Sequence, residues 1–175
     1  MCLIKAYKRW RKKRRDRIIE GPCIDGGVRT RIDEDAPKHI ESTELTSFIC
    51  KFSLVSMIDL EMDIANGEYS LIGKLGSDGA SLSAECIYGA DMGKRVEKSN
   101  AKEELIRIEK LIREHDIARF NGQYYHVSGL PRFFGASLEA KYESGEKIYC
   151  YNNQDFFFPL EFVKEICDIF GLNKE

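Results

Sequence analysis

His126, Ser128, Arg132 and Asp155 are the residues of this chain whose types could do chemistry together. A histidine titrates near neutral pH and can shuttle a proton, a carboxylate such as Asp155 can orient its ring, and the Ser128 hydroxyl is available as a nucleophile. Three of the four sit in the segment from Asn121 to Gly135, which also holds four aromatic residues, three glycines and a proline. A connection of that composition is either an ordered loop or a contact surface. Tyr124, Tyr125, His126 and Arg132 are therefore candidate ligand contacts, joined by Asn153 and Gln154 from the Asn152-Asn153-Gln154-Asp155 stretch. The competing reading places the aromatics on the rim of the core, gives His126 a backbone partner and makes the amide-rich stretch a side-chain-stabilised turn. A lone histidine without a second catalytic signature favours the quieter reading, so no residue stands as a firm catalytic group.

Charge carries a second signal. Lys5, Lys8, Arg9, Arg11, Lys12, Lys13, Arg14, Arg15 and Arg17 face a single acid, Asp16, so the first seventeen residues carry +8. The remaining 158 residues hold 18 basic and 28 acidic side chains, a charge of −10. A cationic arm precedes an acidic body. Leu3, Tyr7 and Trp10 fall at helical spacing among these cations, which would let a short helix lay an aromatic edge on a polyanion. Nucleic acid would take the charges through counterion release, with Trp10 stacking on a base. An anionic membrane surface would take them at about 1 kcal/mol per cation. A flexible, solubilising tail is the alternative.

Other chemistries find no footing in the sequence. The six cysteines include no two closer than seventeen positions and none at ligand spacing from a histidine, so no metal centre and no cofactor is expected. Cys50, Cys86, Cys150 and Cys167 occupy the apolar phase of their segments and are expected as reduced, buried thiols of a cytoplasmic protein. Gly73 to Gly79 superficially matches a phosphate loop but turns between two strands and opens no helix. Apolar runs such as Phe156 to Leu160 are far shorter than the ~20 residues that cross a bilayer. Contact with a membrane is expected to be peripheral and confined to the arm.

The elements that must position these residues follow from periodicity. Residues 1–19 read as the arm and 20–41 as a polar linker, in which Val28, Thr30 and Ile32 alternate as a short edge strand. Residues 42–172 read as one α+β domain. Phe48, Cys50, Phe52 and Leu54 alternate as a half-buried strand, and Tyr69 to Leu75 and Leu82 to Tyr88 form a hairpin around Gly76-Ser77-Asp78-Gly79. Asn100 with Glu103 has the form of a capping box for a helix carrying Leu105, Ile108, Leu111 and Ile112. A second hairpin spans Ala136 to Tyr151 around Ser144-Gly145. Pro159 then opens a final helix that Gly171 closes. The expected fold is α+β, an antiparallel sheet of about five strands in strand, ββαββα order with both helices on one face.

Over NGQYYHVSGLPRFFGASLEAKYESGEKIYCYNNQDFFFPLEF the chain resembles a group of small bacterial proteins that combine an N-G-x-Y-Y-x-V-S-G-L-P loop, a Y-x-S-G-E hairpin and an N-Q-D turn. The resemblance covers about residues 41–172 and leaves out the arm. It implies an α+β domain and assigns no activity or functional residue. The functional expectation is a non-enzymatic binding module, with the 121–135 loop meeting a protein partner and the arm an anionic surface. One alternative is an enzyme using a His126/Asp155 pocket. Another is an acidic inhibitor or immunity-type protein, which would require the acids of the body to cluster on one face.

Overall fold

The computed structural model describes residues 19–20, 27–55, 64–129 and 134–173. The basic arm through Arg17, together with Arg132 and Phe133, lies outside the described residues.

Strict alternation writes the central strands. In β3 (Leu45–Ser53), Phe48, Cys50 and Phe52 are fully buried while Ile49 and Lys51 point the other way. β4 (Gly67–Gly76) buries Tyr69 and Leu71, and β5 (Gly79–Gly89) buries Leu82, Ala84 and Cys86 on the same face. β8 (Ala136–Tyr142) and β9 (Lys147–Asn152) form the second hairpin, burying Leu138, Ala140, Ile148 and Cys150. Shorter strands complete the set: β1 (Ile19–Glu20), β2 (Val28–Ile32), β6 (Arg95–Ser99) and β7 (Gln123–Val127).

The sheet corrects the expected architecture. In place of five antiparallel strands in ββαββα order, the described residues form one mixed sheet, β1-β2-β7-β9-β8-β3-β4-β5-β6. Eight strands of five residues or more are joined by the two-residue β1. β7 and β9 run parallel, pairing Tyr124 with Tyr151, and the other pairs are antiparallel. The additional strands have a physical reason for their silence in sequence. β7 is half-buried or exposed at every position and carries rings on both faces, and β6 is an edge strand with Val96 as its one apolar residue. Neither shows the apolar-polar alternation that betrays a half-buried strand.

Both helices lie on the buried face. α1 (Lys102–Glu114) directs Leu105, Ile108, Leu111 and Ile112 inward. It sits so close to β4 that a side-chain carbon added at Gly73 would fall 2.9 Å from Leu105. α2 (Leu160–Phe170) places Phe170 6.3 Å from Phe48, ring to ring. Its end is a left-handed Gly171 (φ +72°) whose N–H donates to Asp168, followed by Leu172 N–H donating to Cys167. The expected capping box does not form: Ala101 occupies the cap without a side-chain bond, and Asn100 adopts φ +57° to turn the chain out of β6.

Residues 28–40, part of the stretch read as linker, are built into the domain. β2 pairs along its length with β7, and Ile40 is buried. The junction is held by Asn121, only 4% exposed, whose Nδ2 donates to the carbonyls of Pro37 and Lys147 (both 2.9 Å) while its Oδ1 accepts from Tyr149 N–H (2.8 Å). Lys38 Nζ donates to the Asn121 carbonyl. One side chain thus satisfies three backbone groups from two distant segments. Asn121→Ala is expected to lower the unfolding free energy by about 3 kcal/mol, since each orphaned buried group costs roughly 1–3 kcal/mol. Asn121→Asp keeps the acceptor but turns a buried carboxylate oxygen against the Pro37 and Lys147 carbonyls, and should cost at least as much as alanine. Urea titration at constant m-value checks both, and a loss below about 1 kcal/mol for the alanine variant would mean water replaces the amide.

No described helix is long and apolar enough to cross a membrane. Cys50, Cys86, Cys150 and Cys167 are free and buried, while Cys2 and Cys23 lie outside the described residues.

Candidate functional site

With both described helices on one side, no helix among the described residues lies over the opposite face of the sheet, and the alternation that buries the core strands turns a second set of side chains onto it. Cross-strand register orders them into rows. One row runs Arg31, Tyr124, Tyr151, Ser137, Lys51 and Ser70 across β2, β7, β9, β8, β3 and β4. Arg29 pairs with His126 beside it, and Tyr149 and Lys147 continue the same face of β9.

The rings form a cluster. Tyr124 and Tyr151 stack at 5.0 Å between centroids with planes 18° apart, and His126 lies 6.4 Å from Tyr124 and 6.0 Å from Tyr151. His126 Nδ1 is 3.3 Å from the Tyr151 hydroxyl. Tyr149 is 42% exposed. Burial first, and neighbouring phenols second, raise Tyr149 and Tyr151 above the ordinary tyrosine range, so both stay neutral at physiological pH. Between β2 and β4 this face carries Arg29, Arg31, Lys51, Lys74, Lys141 and Lys147 against Glu68 and Glu139, and Glu139 is ion-paired with Lys141 at 2.6 Å. The Arg29 Nε is buried without a hydrogen-bond partner. A cleft of about 310 Å³ adjoins the rings, lined among others by Arg31, Tyr124, Lys147 and Tyr149 and by Asp33 and Asp35.

The residues singled out from sequence separate here. Tyr124 and His126 stand on the open face, whereas Tyr125 projects from the opposite side of β7. Asn153 is buried, and its amide mimics a strand residue: Oδ1 accepts from Val127 N–H and Nδ2 donates to the Val127 carbonyl, both 2.9 Å. Gln154 Nε2 donates to the Asn153 carbonyl at 2.7 Å. Asn152 Oδ1 accepts from the N–H groups of Gln154 and Asp155, an Asx turn. Asp155 is exposed at that turn, and no hydrogen bond or ion pair joins it to His126. Ser128 N–H donates to Gly27 at the end of the β2–β7 pair. Arg132 and the arm cations lie outside the described residues. Arg29, Arg31, Lys51, Tyr149 and Tyr151 were not anticipated. Their signal was the off-phase of strands whose apolar phase alone had been read.

Two clefts of about 430 Å³ lie elsewhere. One runs between α1 and α2 among Arg107, Lys164, Glu165 and Asp168; the other joins Leu45, Leu75 and Ile106 at the start of α1. Neither is lined by a ring or a histidine. Among the described residues no cluster of histidine, cysteine and carboxylate side chains could hold a metal ion. Compared with protein-family models, curated proteins and solved structures, the chain matches none.

Proposed function

We propose that this chain is a non-enzymatic binding module that holds an anionic ligand on the open face of its sheet, with the basic arm adding long-range attraction. The observation that carries this reading is the ring cluster of Tyr124, His126 and Tyr151, with Tyr149 in the adjoining cleft, bordered by cations on a face over which no described helix lies. The hydrogen bond of His126 to Tyr151 rather than to Asp155 supports binding over proton transfer. Ion pairs interleave acids with bases on the helices, as in Arg107–Asp168 and Lys110–Glu114, which lends no support to an acidic decoy. Four buried free thiols support a reducing, cytoplasmic setting.

Retention on immobilised heparin across a salt series tests the reading. The full chain should be retained at about 0.15 M salt. Replacing the nine arm cations by glutamine should lower the salt needed for elution, and adding Arg29→Ala with Arg31→Ala should lower it again. A wild-type chain that flows through overturns the proposal.

A further inference from the structure

Resting on that reading, we infer that the ligand is a single-stranded nucleic acid whose unpaired bases stack on the Tyr124–Tyr151 pair while its phosphates follow the cations to either side. Four features of the face favour this ligand over a polyanion without bases. The first is ring geometry. Stacked tyrosines on adjacent strands present aromatic surface at a spacing of 5.0 Å, and on the β8 side of Tyr151 the next residue in the row is the small Ser137. Any base can use such a surface, because every base has a π-face.

The second feature is the placement of charge. Arg31 precedes the rings in the row and Lys51 follows Ser137, so cations flank the stack along a line across the strands. A backbone laid along that line meets positive charge on both sides of a stacked base. The third feature is the acid wall. Asp33 and Asp35 border the cleft beside Tyr124 and Tyr149. Two carboxylates would repel a simple polyanion such as heparin, but they can accept hydrogen bonds from the ring imino and exocyclic amino N–H groups of unpaired bases. Duplex would not serve, since its bases are already stacked and paired, with those faces and edges inside the helix.

The fourth feature is the position of the arm. Its nine cations end at Arg17, two residues before Ile19, and β1 pairs with β2, itself the neighbour of β7. The cationic segment thus immediately precedes, in sequence, the edge strand of the sheet that carries the rings. Trp10 is the one tryptophan in the chain, so its fluorescence reports on the arm alone.

The decisive measurement is binding of oligo(U) and oligo(dT) of about 12 nucleotides to the full chain. It is made beside a DNA duplex of equal charge, a heparin fragment, and vesicles containing phosphatidylserine. Trp10 fluorescence follows the arm, and anisotropy of the labelled oligomer follows total binding. Both single strands should bind more tightly than duplex or heparin at matched salt. Oligo(dU), which differs from oligo(U) only in lacking the 2′-OH, is added so that a preference between these two assigns RNA or DNA. Tyr151→Leu keeps apolar bulk without a ring and should weaken oligomer binding about tenfold, a larger loss than it causes in heparin retention, with thermal unfolding followed to confirm that the variant is folded. Tyr124→Leu should act likewise. Equal affinity for oligomer and heparin, with Tyr151→Leu and Tyr124→Leu both silent, would overturn the nucleic-acid assignment and leave the anion-binding reading intact. Tighter binding to the vesicles than to either oligomer would also overturn it, in favour of a membrane surface. No binding to any probe would remove both readings together.

Discussion

Gly135→Ala should cost about 3 kcal/mol or more, enough to leave little folded protein in a domain of ordinary stability. Gly135 enters β8 where β8, β9 and the end of β3 converge: its carbonyl accepts from Ser53 N–H at 3.0 Å, and the next residue, Ala136, pairs with Asn152. A side-chain carbon added there would land against the Asn152 carbonyl oxygen, 2.7 Å from its carbon and 3.0 Å from that of Asn153. All three atoms are backbone, so no rotamer change relieves the clash. The first pair of the β8–β9 ladder must separate, and with it the turn that Asn152 and Asn153 organise. Gly145→Ala is the matched control. That glycine has φ +86° and nothing within 4 Å of an added carbon, so only the backbone preference is lost, about 1 kcal/mol. Denaturant unfolding of the two variants separates steric exclusion from backbone preference. Equal losses would show that the close approach to Asn152 does not exist in solution.

Alkaline pH should unfold this protein through its thiols. Burial raises Cys150 to about 12, and it pushes Cys50 and Cys167 well above the ordinary thiol range, Cys50 with added repulsion from the other two. In the unfolded chain the same groups titrate near pH 8.5. Above that value the unfolded state sheds protons that the folded state retains, so it binds fewer protons and stability falls as pH rises. Each thiol contributes a slope of about 1.4 kcal/mol per pH unit, and three together give about 4 kcal/mol per unit between roughly pH 9 and 11. Tyr69 and Tyr142, raised by burial, reinforce the trend once unfolded tyrosine begins to ionise near pH 10. Below pH 8 these groups contribute no slope. Urea unfolding under reducing conditions from pH 7.5 to 10.5 measures the effect, and Cys167→Ala should reduce the slope by about one third. A flat profile to pH 10 would mean that the thiols ionise in the folded core.

The sequence showed plainly those strands whose two faces meet different environments. β3 alternates because helices cover the side of Phe48, Cys50 and Phe52 while Ser47, Ile49 and Lys51 on the other side stay partly or fully exposed, and the Gly76-Ser77-Asp78-Gly79 and Ser144-Gly145 turns fixed both hairpins. Pro159 and Gly171 marked α2 because their backbone restrictions are intrinsic. β7 stayed hidden because Gln123 to Val127 is exposed or half-buried at every position, with rings on both faces and no fully buried phase. Its neighbours β2 and β9 come from distant parts of the chain, which local periodicity cannot register. The same blindness hid the ring cluster. Tyr149 and Tyr151 look like ordinary off-phase residues of a hairpin until the parallel pairing brings Tyr124 alongside. The amides of Asn121 and Asn153, suited by type to turns or to ligands, are spent on backbone.

The bond between Asn121 and the Pro37 carbonyl spans 84 positions of sequence, and β2 joins the sheet only through β7 and the short β1. During synthesis β2 thus leaves the ribosome long before its partner β7 is made. Until β7 appears, Val28, Thr30 and Ile32 form a β-prone stretch with unsatisfied edges, the kind of segment through which nascent chains associate. The sequence brackets that stretch with the cations ending at Arg17 and the acids Asp33, Glu34 and Asp35. Charge on both flanks acts as a gatekeeper against premature pairing. On this view the arm protects the chain before it can hold any ligand, and docking of β2 is the slow closing step of folding.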